Sequence, residues 1–312
     1  MWSISITQII IAFLMDLILG DPRKFPHIVR GIGTLSQKLE RGVCWLLPRT
    51  IASGLIYWLL LCTIVLGVYG LVYFSLNLLG SWWIWGLEII ILYQTITAMD
   101  LTHHIRRVVQ PLAAGNMQEA RKQLSMIVGR DTEQLDEKEI SRASIECVAE
   151  STHDGFVAPL FWAIIGGVPA ALIYRTTNTL DSMVGHRTPE YEKFGKASAR
   201  MDDLFNIIPA RLTAFLYYLC RPFVSLKRIS IDARKHDSPN AGWSEATLAY
   251  VMDVQLGGCN FYDGEKHTGP IFNKDGRKPL SVDVTLSLRY YWRVIVMTVF
   301  LLLSIKWLME YT

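Results

Sequence analysis

The stretch TIASGLIYWLLLCTIVLGVYGLVYFSLNLLGSWWIWGL, residues 50–87, decides the class of this protein, because 38 residues pass without a charged side chain. One helix needs only about 20 apolar residues to cross a bilayer, so the chain must fold back within the stretch. Gly80-Ser81 is the natural turn, with Trp82, Trp83 and Trp85 at the depth of the lipid headgroups, where indole rings collect. The expectation is one helix over about 51–79 and a second over about 83–99, with Glu88 early in the second.

The rest of the chain agrees. Of 312 residues, 51% are hydrophobic and only 19% charged, with a mean hydropathy of +0.26, whereas a soluble domain carries about 25% charge. A net charge of +3 from 31 basic and 28 acidic residues is too balanced for a nucleic-acid footprint. Five cysteines without a C-x-x-C pair argue against a disulfide framework or a zinc site.

Further apolar segments are expected at about 1–19, 155–174, 204–224 and 291–309. The first lacks a basic n-region and an A-x-A site, so it reads as retained rather than as a signal peptide. The second carries Pro159, Gly166, Gly167 and Pro169, which suit a broken or re-entrant helix. The third is interrupted by Pro209 and Arg211 and reads as interfacial. The last is flanked by Tyr291, Trp292 and Arg293 and by Lys306 and Trp307, as a membrane anchor should be. The fold class expected is all-α: one polytopic domain with broken helices and a polar catalytic region. Arg23, Lys24, Arg30, Lys38, Arg41 and Arg49 place the loop 21–49 on the cytoplasmic side, and the basic stretch 100–154 follows it there.

Three polar blocks, about 126–154, 178–203 and 232–258, carry the chemistry. In the first, a helix puts Glu146, Glu150 and Asp154 at i, i+4 and i+8, hence on one face. Three carboxylates beside a membrane call for a cation, Arg/Lys or a divalent metal, although a solvated acidic face has the same pattern. The second block interleaves Asn178, Asp181, Ser182, Arg187, Lys193, Arg200, Asp202, Asp203, Asn206 and Arg211. Hard oxygen ligands for Mg²⁺ alternate with cations for phosphate, which fits a phosphorylated, metal-bound substrate; surface ion pairs are the plainer explanation. Asp202 and Asp203, being adjacent, cannot share a helix face, so one is expected to be a ligand or base and the other a structural partner. The third block ends in the turn-forming Ser238-Pro239-Asn240. No Walker or Rossmann phosphate loop is present.

The blocks taken in order resemble the cobinamide-phosphate synthase family of cobalamin biosynthesis. The matching residues are G-D-P at 20–22, I-V-G-R-D-T at 127–132, A-E-S-T-H-D-G at 149–155, A-P-L-F-W at 158–162, N-T-L-D-S-M-V-G at 178–185, A-R-M-D-D at 199–203, P-A-R-L at 209–212, S-P-N at 238–240 and Q-L-G-G at 255–258. Ile28, Ser151, His186 and Ile207 depart from the family pattern, Ser151 inside the carboxylate block. The resemblance implies a multi-pass enzyme of the cytoplasmic membrane, its site facing the cytoplasm. It would use ATP and Mg²⁺ to join a propionate of adenosylcobyric acid, a corrinoid, to the amine of aminopropanol phosphate. Within it, Glu146, Glu150 and Asp154 are expected to hold Mg²⁺, and these three with Asp202 and Asp203 to be catalytic. Arg130, Asp131, Asn178, Asp181, Ser182, Lys193, Arg200, Asn206, Arg211, Ser238 and Asn240 are expected to bind substrate or phosphate. The blocks are expected to converge on one cytoplasmic site. The rival reading is a non-catalytic membrane sensor, or a corrinoid-binding or transport protein. A transporter would set its ionisable residues mid-membrane, and here only Asp16 and Glu88 fall within apolar runs.

Overall fold

The computed structural model describes residues 4–22, 25–186 and 188–311; Arg23, Lys24 and Arg187 lie outside the described residues. Among these the chain forms twelve α-helices, one π-helical turn and one two-stranded hairpin, in two compact units. Four helical stretches are long and apolar enough to cross a membrane: Ile51–Asn77, Ser81–Ala113, Glu137–Val184 and Ser281–Glu310.

The first unit comprises residues 1–97, 158–206 and 302–312. Helix α1 (Ile6–Leu19) starts on a capping box between Ser5 and Gln8. Its 14 residues rise about 21 Å, which makes it an apolar helix shorter than the four stretches above. Helix α2 (Ile28–Leu46) is capped by the His27 ring, and α3 (Ile51–Asn77) by a box between Thr50 and Ser53. Leu55, Ile56, Leu59, Val68 and Leu71 are exposed on α3, an outer face that lipid covers. Helix α4 (Ser81–Thr95) begins at the expected turn and packs on α1, where Gln8 Nε2 donates to Glu88 Oε2 at 2.7 Å. The intramembrane acid is thus hydrogen-bonded within the helix pair, as such groups must be.

Helix α8 (Ala158–Val184) is interrupted where the sequence suggests. Gly166 and Gly167 leave helical geometry, and Gly167 has φ of +69°, ahead of Pro169. A glycine tolerates that backbone without cost, so the break sits on the one dipeptide that permits it. Tyr57, Leu61, Leu180, Val184 and Phe194 close the core of this unit.

The second unit comprises residues 98–157 and 207–301. It contains α5 (Ala98–Ala113), α6 (Met117–Leu124), α7 (Glu137–Thr152), the π-turn His153–Val157, the latter part of α9 (Lys196–Leu219), α10 (Leu226–Ala233), α11 (Ala241–Met252), strands β1 (Leu256–Tyr262) and β2 (Glu265–Phe272), and most of α12 (Ser281–Tyr311). Val108, Leu112, Leu124, Leu135 and Ile140 form a core between α5, α6 and α7. The expected interfacial segment 204–224 lies mainly on α9, which runs through Pro209 to Leu219 and is not one of the four stretches apolar enough to span.

The hairpin is an addition to the all-α expectation. It turns on Asp263-Gly264, both at positive φ, 52° and 81°, the pair that a two-residue hairpin prefers because its twist matches the strands.

Candidate functional site

Helix α7 and strand β1 hold the first cluster. Glu146 is buried, and both its oxygens are taken. Oε2 accepts from Arg130 Nη1 at 2.7 Å; Oε1 accepts from Arg142 Nη1 at 3.1 Å and from the Gly257 N–H at 2.7 Å. Arg130 and Arg142 each donate at 2.9 Å to Asn260 Oδ1, and Arg142 also reaches the Cys259 carbonyl at 2.9 Å. Burial pulls the Arg130 guanidinium down and the Glu146 carboxylate more than restores it. Asp131 clamps the tip of the hairpin: its carboxylate accepts from the N–H groups of Asp263 and Gly264 at 3.2 and 2.8 Å. Gly257, at φ +76°, passes so close to the Pro270 carbonyl that a Cβ would collide with it, which is why Q-L-G-G needs a glycine there.

The expected Mg²⁺ set of Glu146, Glu150 and Asp154 is not assembled. Glu146 is consumed by two arginines, and α7 ends at Thr152, so Asp154 lies on the π-turn, out of α-helical register, 2.8 Å from His153 Nε2. Single π-turns of this kind re-aim side chains. Among the described residues no three His, Cys, Asp or Glu side chains form a metal cage. Arg130 and Asp131, expected on phosphate, here hydrogen-bond within the protein, joining the hairpin to α7 and its approach.

Glu150, one turn on, is exposed. It is joined by an acid that the sequence reading passed over. Glu245 is the one charge in A-G-W-S-E-A-T-L-A-Y-V-M, the whole of α11. Burial, then the charges of Glu146 and Glu150, push its carboxyl well above the usual range against the pull of Arg130 and Arg142. A cation would relieve the repulsion that Glu245 meets from the neighbouring carboxylates, and Mg²⁺ commonly takes one or two carboxylates together with substrate phosphates. Both oxygens of Glu146 are taken, so Glu150 and Glu245 are the acids of this cluster that would hold such an ion.

The second cluster lies where α9, the 234–240 loop and the start of α11 meet. Arg211 donates to Asn240 Oδ1 at 2.5 Å, to the Pro239 carbonyl at 3.1 Å and to the Ile207 carbonyl at 2.9 Å. Its guanidinium lies 5.4 Å from the Trp243 ring centre. Ser238 holds the loop: its N–H donates to His236 Nδ1 at 2.9 Å, and its hydroxyl accepts from the N–H of Asn240 at 3.2 Å. Arg211, Arg234, His236, Asp237, Pro239 and Trp243 line a cavity of about 460 Å³. Arg211, Ser238 and Asn240 come together here as expected. Arg234, His236, Asp237 and Trp243 were missed, although Asp232-Ala233-Arg234-Lys235-His236-Asp237 is the densest run of charge in that block.

In the first unit, Asp202 is buried and accepts from Asn178 Nδ2 at 3.4 Å and Asn206 Nδ2 at 2.9 Å. Tyr174 donates to Asn206 Oδ1 at 3.1 Å. Asp203 is half-buried beside it, so the two acids do occupy different environments. Asp181 is half-buried, and Ser182 is turned back to the Asn178 carbonyl at 3.0 Å. Lys193 and Arg200 are exposed.

The family model described as CobD/Cbib protein matches residues 9–291. The chain belongs to the CobD/CbiB family of cobalamin biosynthesis proteins. It is 44% identical to cobalamin biosynthesis protein CobD of Halalkalibacterium halodurans, over 85% of each chain. Identity is 38% to the protein of the same name in Citrobacter koseri, over 96% of this chain and 97% of that one. It is also 38% to cobalamin biosynthesis protein CbiB of Salmonella typhimurium, over 95% and 96%. No solved structure matches. Family membership and four candidate spans make this a multi-pass membrane protein of cobalamin biosynthesis that handles a corrinoid.

Proposed function

We propose that the protein is an acid–amine ligase that joins a propionate of adenosylcobyric acid to aminopropanol phosphate, giving adenosylcobinamide phosphate, with ATP and Mg²⁺. The observation that carries the reading is the composition of the 460 Å³ cavity. Arg211, Arg234 and His236 bring positive or hydrogen-bonding groups, and Asp237 brings one carboxylate. A small zwitterion with a phosphate at one end and an ammonium at the other matches that pattern, and the volume lies in the range of pockets for metabolites, about 300–1,000 Å³. Planar guanidinium groups suit the phosphate oxygens. Next along the same helix α11, Glu245 joins Glu150 to hold the metal.

Amide formation needs a carboxylate oxygen to leave, and bound ATP supplies the phosphoryl group that makes it a leaving group. The residues of this chain then bind and orient. Arg211 and Arg234 anchor the phosphate and Asp237 orients the ammonium until its proton is lost; Glu150 and Glu245 would hold Mg²⁺, which would supply positive charge to the phosphates. Positioning of this kind is worth orders of magnitude in rate. The basic loops support a site on the cytoplasmic face of the cell membrane, where these metabolites are found.

The test is direct. Purified full-length protein incubated with adenosylcobyric acid, ATP, Mg²⁺ and aminopropanol phosphate is expected to yield the amide by mass spectrometry, and to yield none when any component is omitted. Tight corrinoid binding without product would instead establish the non-catalytic alternative.

A further inference from the structure

A cavity of about 1110 Å³ lies within the second unit between α5, the end of α9 and α12. Arg106 on α5 and Arg289 and Arg293 on α12 line it, and no Asp or Glu does. All three arginines are exposed. Among the described residues none has a carboxylate within ion-pair distance; Arg293 lies over the Tyr290 ring, at 5.5 Å. Like charges at i and i+4 on one helix, as at Arg289 and Arg293, repel, and Arg106 adds a third from the facing helix. An anion seated among the three would relieve that repulsion.

The rest of the lining says what else that anion must carry. Leu219, Leu288, Trp292, Val296 and Met297 make the wall, predominantly apolar. Arg293 is the last charge before an uncharged run from Val294 to Ile305, with Trp292 beside it, so the arginines stand at interface depth. Below them Val296 and Phe300 are exposed, at 45% and 70%, along the same helix. The groove is therefore cationic at its mouth and apolar where α12 enters the hydrocarbon.

We propose that this groove binds an anionic phospholipid, its phosphate held by Arg106, Arg289 and Arg293 and an acyl chain lying along Val296 and Met297. A soluble phosphate would find the arginines but leave the apolar wall wet, whereas a neutral lipid would leave the arginines without a counter-charge. Basic pockets between membrane helices take anionic headgroups for this reason. The site is independent of the amide-forming reading, since it uses none of those residues.

Detergent-purified full-length protein, titrated with phosphatidylglycerol, phosphatidylcholine or inorganic phosphate and followed by native mass spectrometry and thermal melting, tests it. Phosphatidylglycerol is expected to bind at least 10-fold more tightly than phosphatidylcholine and to raise the melting temperature. R289Q and R293Q are each expected to weaken it about 10-fold, and R289K to retain the preference. Met297→Trp, which fills the apolar wall and spares the arginines, is expected to weaken phosphatidylglycerol as well. Equal binding of the two lipids would overturn the proposal. So would stabilisation by inorganic phosphate that matches the lipid, or full phosphatidylglycerol affinity in both R289Q and Met297→Trp.

Discussion

The two polar clusters of the second unit are built from the same residue types and come to opposite ends. Around Glu146 the carboxylate is answered from within the chain: two guanidinium groups and one backbone N–H take both its oxygens, and Asn260 holds the two guanidinium groups in turn. Around Arg211 the partners are a side-chain amide, two carbonyls and an aromatic face, none of which neutralises it. A carboxylate whose oxygens are filled from within the chain is architecture; arginines that line a cavity are a place for a ligand.

The largest expected effect breaks the first cluster. Glu146→Gln leaves two arginines facing each other without a counter-charge, and losing one partner of a buried pair costs about 3–5 kcal/mol. The melting temperature and folded yield of the purified protein should fall together. Glu150→Gln, one turn away and exposed, should change stability by under about 0.5 kcal/mol and yet abolish most turnover and alter the Mg²⁺ dependence. If both variants simply unfold, the distinction between the two glutamates is wrong.

A smaller effect is expected at the open cluster. Arg211→Ala removes a charge-assisted contact worth about 1.5–3 kcal/mol, so KM for aminopropanol phosphate should rise about 10- to 150-fold, with Asp237→Asn acting on the same substrate and not on ATP. Steady-state kinetics with each substrate varied in turn separates these outcomes.

The smallest concerns Asp232, which supports the loop beneath the cavity. Burial pushes its carboxyl up, but Lys235, the Asn273 N–H and the Tyr250 hydroxyl outweigh it and hold the group below its usual range. A carboxyl lowered on folding contributes stability that is complete above the ordinary value of about 3.9 and is lost as pH falls through the lowered one. Asp232→Asn should therefore cost about 1 kcal/mol near pH 7, and melting curves of variant and wild type should converge as pH drops below about 4.

Much of this was legible in the chain. The uncharged run at 50–87 marks α3 and α4, and Thr50 and Gly80 stand at their starts. The glycine pair and proline at 166–169 mark the break in α8. The hairpin was signalled by Asp263-Gly264 but lost in a stretch read only for its charge, and Glu245 went unnoticed because a lone acid in an apolar helix has no spacing to reveal it.

Hydropathy, helix caps and turn-forming pairs act over a few residues, so the membrane class, the helix starts and the break were set by local chemistry that can be read along the chain. Charge pairing acts through space. Glu146 and Glu150 have the same side chain and sit one turn apart, and no local rule separates them. What separates them is Gly257, 111 residues away, with Asn260 and Arg130, brought against one face of α7 by the hairpin. Long-range packing therefore made the difference: it buried one carboxylate among cations and left its neighbour exposed.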